Sequence, residues 1–221
     1  MVGRIKYLSK ICGECADDID LTEITNENEK KFVIWCKVLE DTVTSLKLSV
    51  NCYEEFIKCF VLESKIFNNY NTFLINYISN LCTSISIEIG KLCSEDNELS
   101  LYKLNKFCKS NNDLFKNCTP YTFRKCRDNI SKLNKLYKEK MHQVRNKIYA
   151  HNDELLLDYE KPENALDNIS FKDLRLFVTL SEETLSKLWK AYNNHKMCFR
   201  TKGFYDYRKV LNILKKQSGE N

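Results

Sequence analysis

The stretch Met141-His142-Gln143-Val144-Arg145-Asn146-Lys147-Ile148-Tyr149-Ala150-His151-Asn152-Asp153 gathers two of the chain's three histidines with an arginine, a tyrosine and two asparagines. Arg145 and His151 are the residues with chemistry in them. A histidine, whose ordinary pKa is about 6.5, can accept or give up a proton near neutrality. An arginine grips a phosphate through its planar fork of N–H groups and steadies charge developing on the phosphate oxygens. Together the two suit cleavage of a phosphodiester. On RNA the neighbouring 2′-OH is a built-in nucleophile, so the step requires no metal and no cofactor. It would leave a 2′,3′-cyclic phosphate and a free 5′-OH.

Each of these residues also has a plainer role. A histidine that ends an apolar stripe commonly sits half-buried against a backbone carbonyl. An arginine beside a core stripe commonly snorkels to solvent, and Tyr149 can pack with its hydroxyl bonded locally. Residue types alone leave both readings open.

A helix must position this stretch. From Thr122 to about Ala150, Phe123, Cys126, Ile130, Leu133, Tyr137, Met141, Val144 and Ile148 recur at steps of three and four, the mark of one buried helix face. Taken as regular at about 3.6 residues per turn, that helix makes His151 the last member of the core stripe. His142, Arg145, Tyr149 and Asn152 then fill the adjoining stripe. Arg145 and His151 would lie about 9 Å apart along the axis and about 120° apart around it. Either the helix ends before His151, or a second copy completes the pair across a two-fold interface. Between Arg124 and Lys147 the helix carries many Lys and Arg residues against only Asp128 and Glu139. That face is either a track for RNA or an ordinary solvated surface.

The rest of the chain reads as helices that would pack around this one. Asn26, followed by Glu27 and Glu29, suits a helix start, and apolar residues then recur from Phe32 through Leu39, Leu46, Val50 and Tyr53 to Phe60. Ser49-Asn51 offers a place for a break, and Asn68-Asn69-Tyr70-Asn71 reads as the separator from the next helix. Leu74, Ile78, Leu81, Ile85, Ile89 and Leu92 mark that second helix, although its β-branched residues offer a strand as the alternative. Ser94–Glu98 is a loop, and Leu101, Leu104 and Cys108 mark a short third helix. After the central helix, residues 152–169 reverse the sign of charge: Asp153, Glu154, Asp158, Glu160, Glu163 and Asp167 stand against Lys161. Ser170 and Asp173 open a last long helix through Leu174, Phe177, Leu188 and Trp189, and residues 203–216 form an amphipathic tail.

The expected fold is therefore all-α, an up-and-down bundle of four to five principal helices. Its parts would be a lead-in at 1–26, the bundle at 27–200, and a helical tail at 201–221 packed on the bundle. With two prolines and five glycines in 221 residues, a turn-rich sandwich or barrel is excluded. The net charge of +5 is too mild to announce a nucleic-acid binder by itself. No apolar run is long enough to cross a bilayer, and the first residues lack a signal-peptide core, so a cytoplasmic protein is expected. Eleven cysteines, an odd number, do not make a disulfide framework here. Cys36, Cys59, Cys82 and Cys126 fall at helical spacing among apolar residues and read as buried thiols. Cys12 and Cys15 have ligand-like spacing, yet no second such pair exists, so no metal is expected.

The run Arg145-Asn146-Lys147-Ile148-Tyr149-Ala150-His151 resembles the signature of the HEPN superfamily: an arginine, then a polar residue, then a histidine a few positions on. The Ala-His-Asn-Asp ending is similar to the abortive-infection, AbiU2-like group, and the order of helices over residues 27–216 fits as well. That resemblance implies a helical bundle, commonly dimeric, acting as a metal-independent endoribonuclease in phage defence or a toxin-antitoxin system. It casts Arg145 and His151 as the catalytic pair and Asn146 as their polar support, with His142, Lys147, Tyr149 and Asn152 as supporting or RNA-binding neighbours. RNA, a second copy, and an antitoxin or defence-system protein are the implied partners. Some HEPN proteins only bind nucleotides or partners, which gives the alternative of a non-catalytic module in a two-gene system. Asp153 stands where some HEPN toxins carry a tyrosine that a partner nucleotidyltransferase modifies, so control by that route is not expected.

Overall fold

The computed structural model describes residues 21–62, 64–115, 118–141 and 169–199, together with 209, 210, 212, 213 and 216. Helix α1 spans Glu27–Leu62, α2 Ser64–Cys93, α3 Leu101–Ser110, α4 Pro120–Leu136 and α5 Phe171–Asn193. A 3-10 turn at Asn112–Leu114 precedes α4, and a π-helical turn at Tyr137–Met141 continues it. The protein is all-α, with no strand among the described residues.

Local chemistry sets the helix ends. Asn26 Oδ1 accepts from the N–H groups of Asn28 (2.9 Å) and Glu29 (3.2 Å), satisfying donors that α1 cannot pair internally. Ser100 caps α3 in the same way through the N–H of Lys103. Pro120 opens α4, where its missing N–H costs nothing. Past the end of α5, Asn194 adopts a left-handed φ of 64°, and its N–H donates to the Lys190 carbonyl at 2.9 Å, a helix stop that asparagine tolerates.

α1 runs as one long helix through Ser49-Asn51, the place where a break was an alternative. One sequence expectation gives way: Asn68–Asn71, read as a separator, lies within α2. From residue 27 to residue 89 there is neither glycine nor proline. Asparagine costs only a few tenths of a kcal/mol in a helix interior, about 0.7 at most, which packing of the apolar face outweighs. For the same reason the β-branched run Ile85-Ile87-Ile89 is helical.

The chain divides into two compact units: Met1–Thr44, Lys91–Leu133 and Thr179–Arg200 in one, and Ser45–Gly90, Asn134–Val178 and Thr201–Asn221 in the other. In the first unit Phe32 is fully buried within an aromatic set. Its ring lies 5.0 Å from Phe115, 5.1 Å from Tyr192 and 6.2 Å from Trp189. Edge-to-face and offset geometry of this kind adds to what area burial alone supplies. Tyr192 also donates to Glu29 Oε1 at 2.7 Å, and Cys126 packs on the Thr184 carbonyl at 3.9 Å.

In the second unit α1 and α2 form an antiparallel hairpin in strict register. Ser45 Oγ donates to Glu88 Oε1, Ser49 Oγ meets Ser84 Oγ at 3.2 Å, and the Phe56 and Tyr77 rings lie 4.6 Å apart. Each advance along α1 is matched by an equal retreat along α2. Leu46, Val50, Ile78, Ile85 and Ile89 fill the apolar side of this pairing, all 1% exposed or less. Burying such side chains stabilises by about 1.5–3 kcal/mol each.

Buried thiols behave as small hydrophobes. Cys36, Cys82, Cys93, Cys108 and Cys126 are free and buried, and burial pushes the Cys82 and Cys126 thiols up to about 12. Cys59, Cys12 and Cys15 lie outside the residues whose side chains are described. Among the described residues no group of His, Cys, Asp and Glu could hold a metal ion.

Candidate functional site

All seven residues singled out for chemistry (Arg145, His151, Asn146, His142, Tyr149, Lys147 and Asn152) lie outside the described residues. The structure does describe the elements on either side of them. On one side are α4 and its π turn, and on the other the start of α5.

The core stripe of α4 is buried as expected. Cys126, Ile130, Leu133, Tyr137 and Met141 are all 5% exposed or less, and Met141, the residue just before His142, is at 0%. The regular helix assumed from the sequence does not continue through this stripe, because the α ladder gives way to a π turn at Tyr137–Met141. A π turn holds one more residue per hydrogen-bonded ring than an α turn. The stripe stays buried through Tyr137 and Met141, and the expected place of His151 on it lies outside the described residues. Among the described residues no glycine, proline or other local signal between Leu133 and Met141 marks the π turn. π turns occur frequently at functional sites.

The polar side of α4 is cationic. Arg124, Arg127 and Lys132 are exposed on the part within the first unit, and Lys135 and Lys138 on the part within the second. Asp128 and Glu139 are the acids among them, and Lys135 reaches Glu139 only at 3.9 Å.

The start of α5 is held firmly. Ser170 N–H and Oγ both donate to Asp173 Oδ2, at 3.0 Å and 2.8 Å, and the Asp173 N–H donates back to Ser170 Oγ at 3.1 Å. This is a capping box built with aspartate in place of glutamate. The bond from Ser170 holds the Asp173 carboxyl below its ordinary range, helped by the charges of Lys140 and Lys172. Lys140 belongs to the π turn, so the end of that turn and the first turn of α5 are electrostatic neighbours. Ile169 is 8% exposed, so the chain is buried on both flanks, at Met141 and at Ile169.

One charge cluster escaped the reading of the sequence. Arg175 on α5 grips Glu54 of α1 with two parallel bonds, Nε to Oε2 at 3.0 Å and Nη2 to Oε1, the bidentate geometry in which arginine excels. Lys58 adds a contact of 3.0 Å to the same carboxylate. Burial pushes the Glu54 carboxyl up, but the bonds from Arg175 and Lys58 outweigh it and leave the group below its ordinary range. The spacing of Glu54 and Lys58 announces their pairing on one helix. Nothing local announces a partner 121 positions away.

The family model for AbiU2 proteins, HEPN_AbiU2, matches residues 32–212. The chain belongs to that family, and is a HEPN-type protein of the abortive-infection group. No curated protein and no solved structure matches it. The matched span includes the whole of the Arg145–His151 run and both helices that flank it. No helix among the described residues is long and apolar enough to cross a membrane.

Proposed function

We propose that this protein is a metal-independent endoribonuclease of HEPN type, acting in abortive infection or as the toxin of a toxin-antitoxin pair. The observation that carries the reading is the family match, whose span encloses an Arg-polar-x-x-x-x-His run. Arg145 would hold the scissile phosphate and offset charge on its oxygens. His151 would move the proton, taking it from the attacking 2′-OH or delivering it to the departing 5′-oxygen. The exposed cations of α4 supply a surface suited to the sugar-phosphate chain. A homodimer with a site completed by both copies accommodates the separation of the two residues along one chain.

The test is incubation of wild type and His151→Ala with mixed RNAs in EDTA, followed by analysis of the cut ends. Wild type should leave 2′,3′-cyclic phosphate and 5′-OH ends at an undiminished rate, and the variant should leave the RNA whole. Equal cleavage by both proteins, or loss of cleavage on chelation, overturns the proposal.

The acidic run from Asp153 to Asp167 favours a second reading, because those carboxylates repel phosphate. On that reading the protein is a non-catalytic HEPN module that binds a protein partner. It predicts intact RNA in both incubations.

A further inference from the structure

We propose that α3, with the facing turn of α1, forms an accessory platform for single-stranded RNA, separate from the Arg145–His151 run. The proposal rests on RNA being the substrate, and it concerns where the strand is held outside the reacting site.

α3 (Leu101–Ser110) contains three lysines and no acid. Its inner face is Leu101, Leu104 and Cys108, all fully buried. Its outer face is Tyr102, Lys106 and Lys109, one stripe at helical spacing, with Tyr102 left 38% exposed. On its flank Lys103 and Phe107 are half-exposed. Phe107 meets the half-exposed Trp35 of α1 edge to face, with ring centres 5.3 Å apart. The exposed Lys31 places its Nζ 5.0 Å from the Trp35 ring centre and 5.7 Å from that of Phe107. All of these residues belong to the first compact unit.

Tyr102 and the Trp35–Phe107 pair leave ring surface beside the lysines of α3 and Lys31. α3 carries no acid among its lysines, whereas α4 has Asp128 among its cations. A single strand of RNA offers the complement: bases that stack on ring faces, and phosphates that pair with ammonium groups at neighbouring positions. An acidic protein segment would satisfy the lysines and leave the rings unused. The acids nearest in sequence are Glu95, Asp96 and Glu98 in the loop before α3 and the exposed Asp113 in the 3-10 turn after it, so Asp113 is the one acid at the end that carries Lys109.

The test uses the full chain carrying His151→Ala, so that cleavage cannot confuse binding, with fluorescein-labelled oligouridylate of about 12 nucleotides. Anisotropy should give an affinity that falls about ten-fold or more on Lys106→Glu with Lys109→Glu at about 50 mM salt. The slope of log affinity against log salt should also shrink by about 1.4. Tyr102→Ala should weaken binding about ten-fold through lost stacking. Circular dichroism checks that each variant keeps its helices, as surface substitutions should. Unchanged affinity in both variants overturns the platform. So does competition by polyglutamate as effective as competition by oligouridylate of equal charge, which would mark a surface for acidic proteins instead. Binding that depends on α3 in a protein whose wild type cleaves nothing would sink the ribonuclease reading and leave the platform standing.

Discussion

At the scale of single residues, Ser170 and Asp173 show how much structure two short side chains can fix. Each satisfies the other and one backbone donor at the point where the chain turns into α5. Ser170→Ala should lower stability by about 1 kcal/mol in urea unfolding. The pH dependence follows from the depressed Asp173 carboxyl. A carboxylate whose folded pKa lies below its unfolded value of about 3.9 contributes stability that is fully present above that value and is lost as pH falls through the folded one. Wild type should therefore exceed Asp173→Asn in stability at neutral pH, and the gap should close below about pH 4. A gap that stays constant down to acid unfolding would show that the charge contributes nothing. This capping pair was legible in the sequence because its signal is local. The Glu54–Arg175 clamp was not, because a partner set by tertiary packing leaves no trace in the residues around it.

At the scale of elements, periodicity was a reliable guide to which positions are buried, even across the π turn. The stripes of α1, α2, α4 and α5 are buried at the positions their spacing predicts, from Phe32 to Tyr53, Leu74 to Leu92, Cys126 to Met141 and Leu174 to Trp189. Polarity misled where it was taken for a boundary. Asn68–Asn71 looks like a loop by composition, yet a loop needs residues that stop a helix, and asparagine without glycine or proline does not. The α1–α2 hairpin packs apolar side chains from Leu46 to Phe56 on α1 and from Leu74 to Ile89 on α2. Ile85→Ala, at a position with 0% exposure, should cost about 2–5 kcal/mol. A loss below about 1 kcal/mol in equilibrium denaturation would mean that the site collapses to fill the gap.

At the scale of the whole molecule, the candidate site is the part that one chain's sequence places least well. The family match spans the run that carries Arg145 and His151, and the described residues on either side of it, Met141 and Ile169, are buried. Whether both residues of a working pair come from one copy is a separate matter that mixing can decide. Arg145→Ala and His151→Ala should each be inactive alone. Co-expressed, they should recover about one quarter of wild-type activity if each site takes its arginine from one copy and its histidine from the other, because half the dimers are mixed and each has one intact site. Sites contained within single copies would recover nothing.

The π turn at Tyr137–Met141 also bears on descent. It has the form of a single residue inserted into an α-helix. A relative in which α4 continues as plain α-helix would then be one residue shorter between Leu133 and the Arg-His run. In an alignment of the two, the gap belongs within 137–141 and not in a loop. Placed anywhere else, it would set buried positions of one chain against exposed positions of the other.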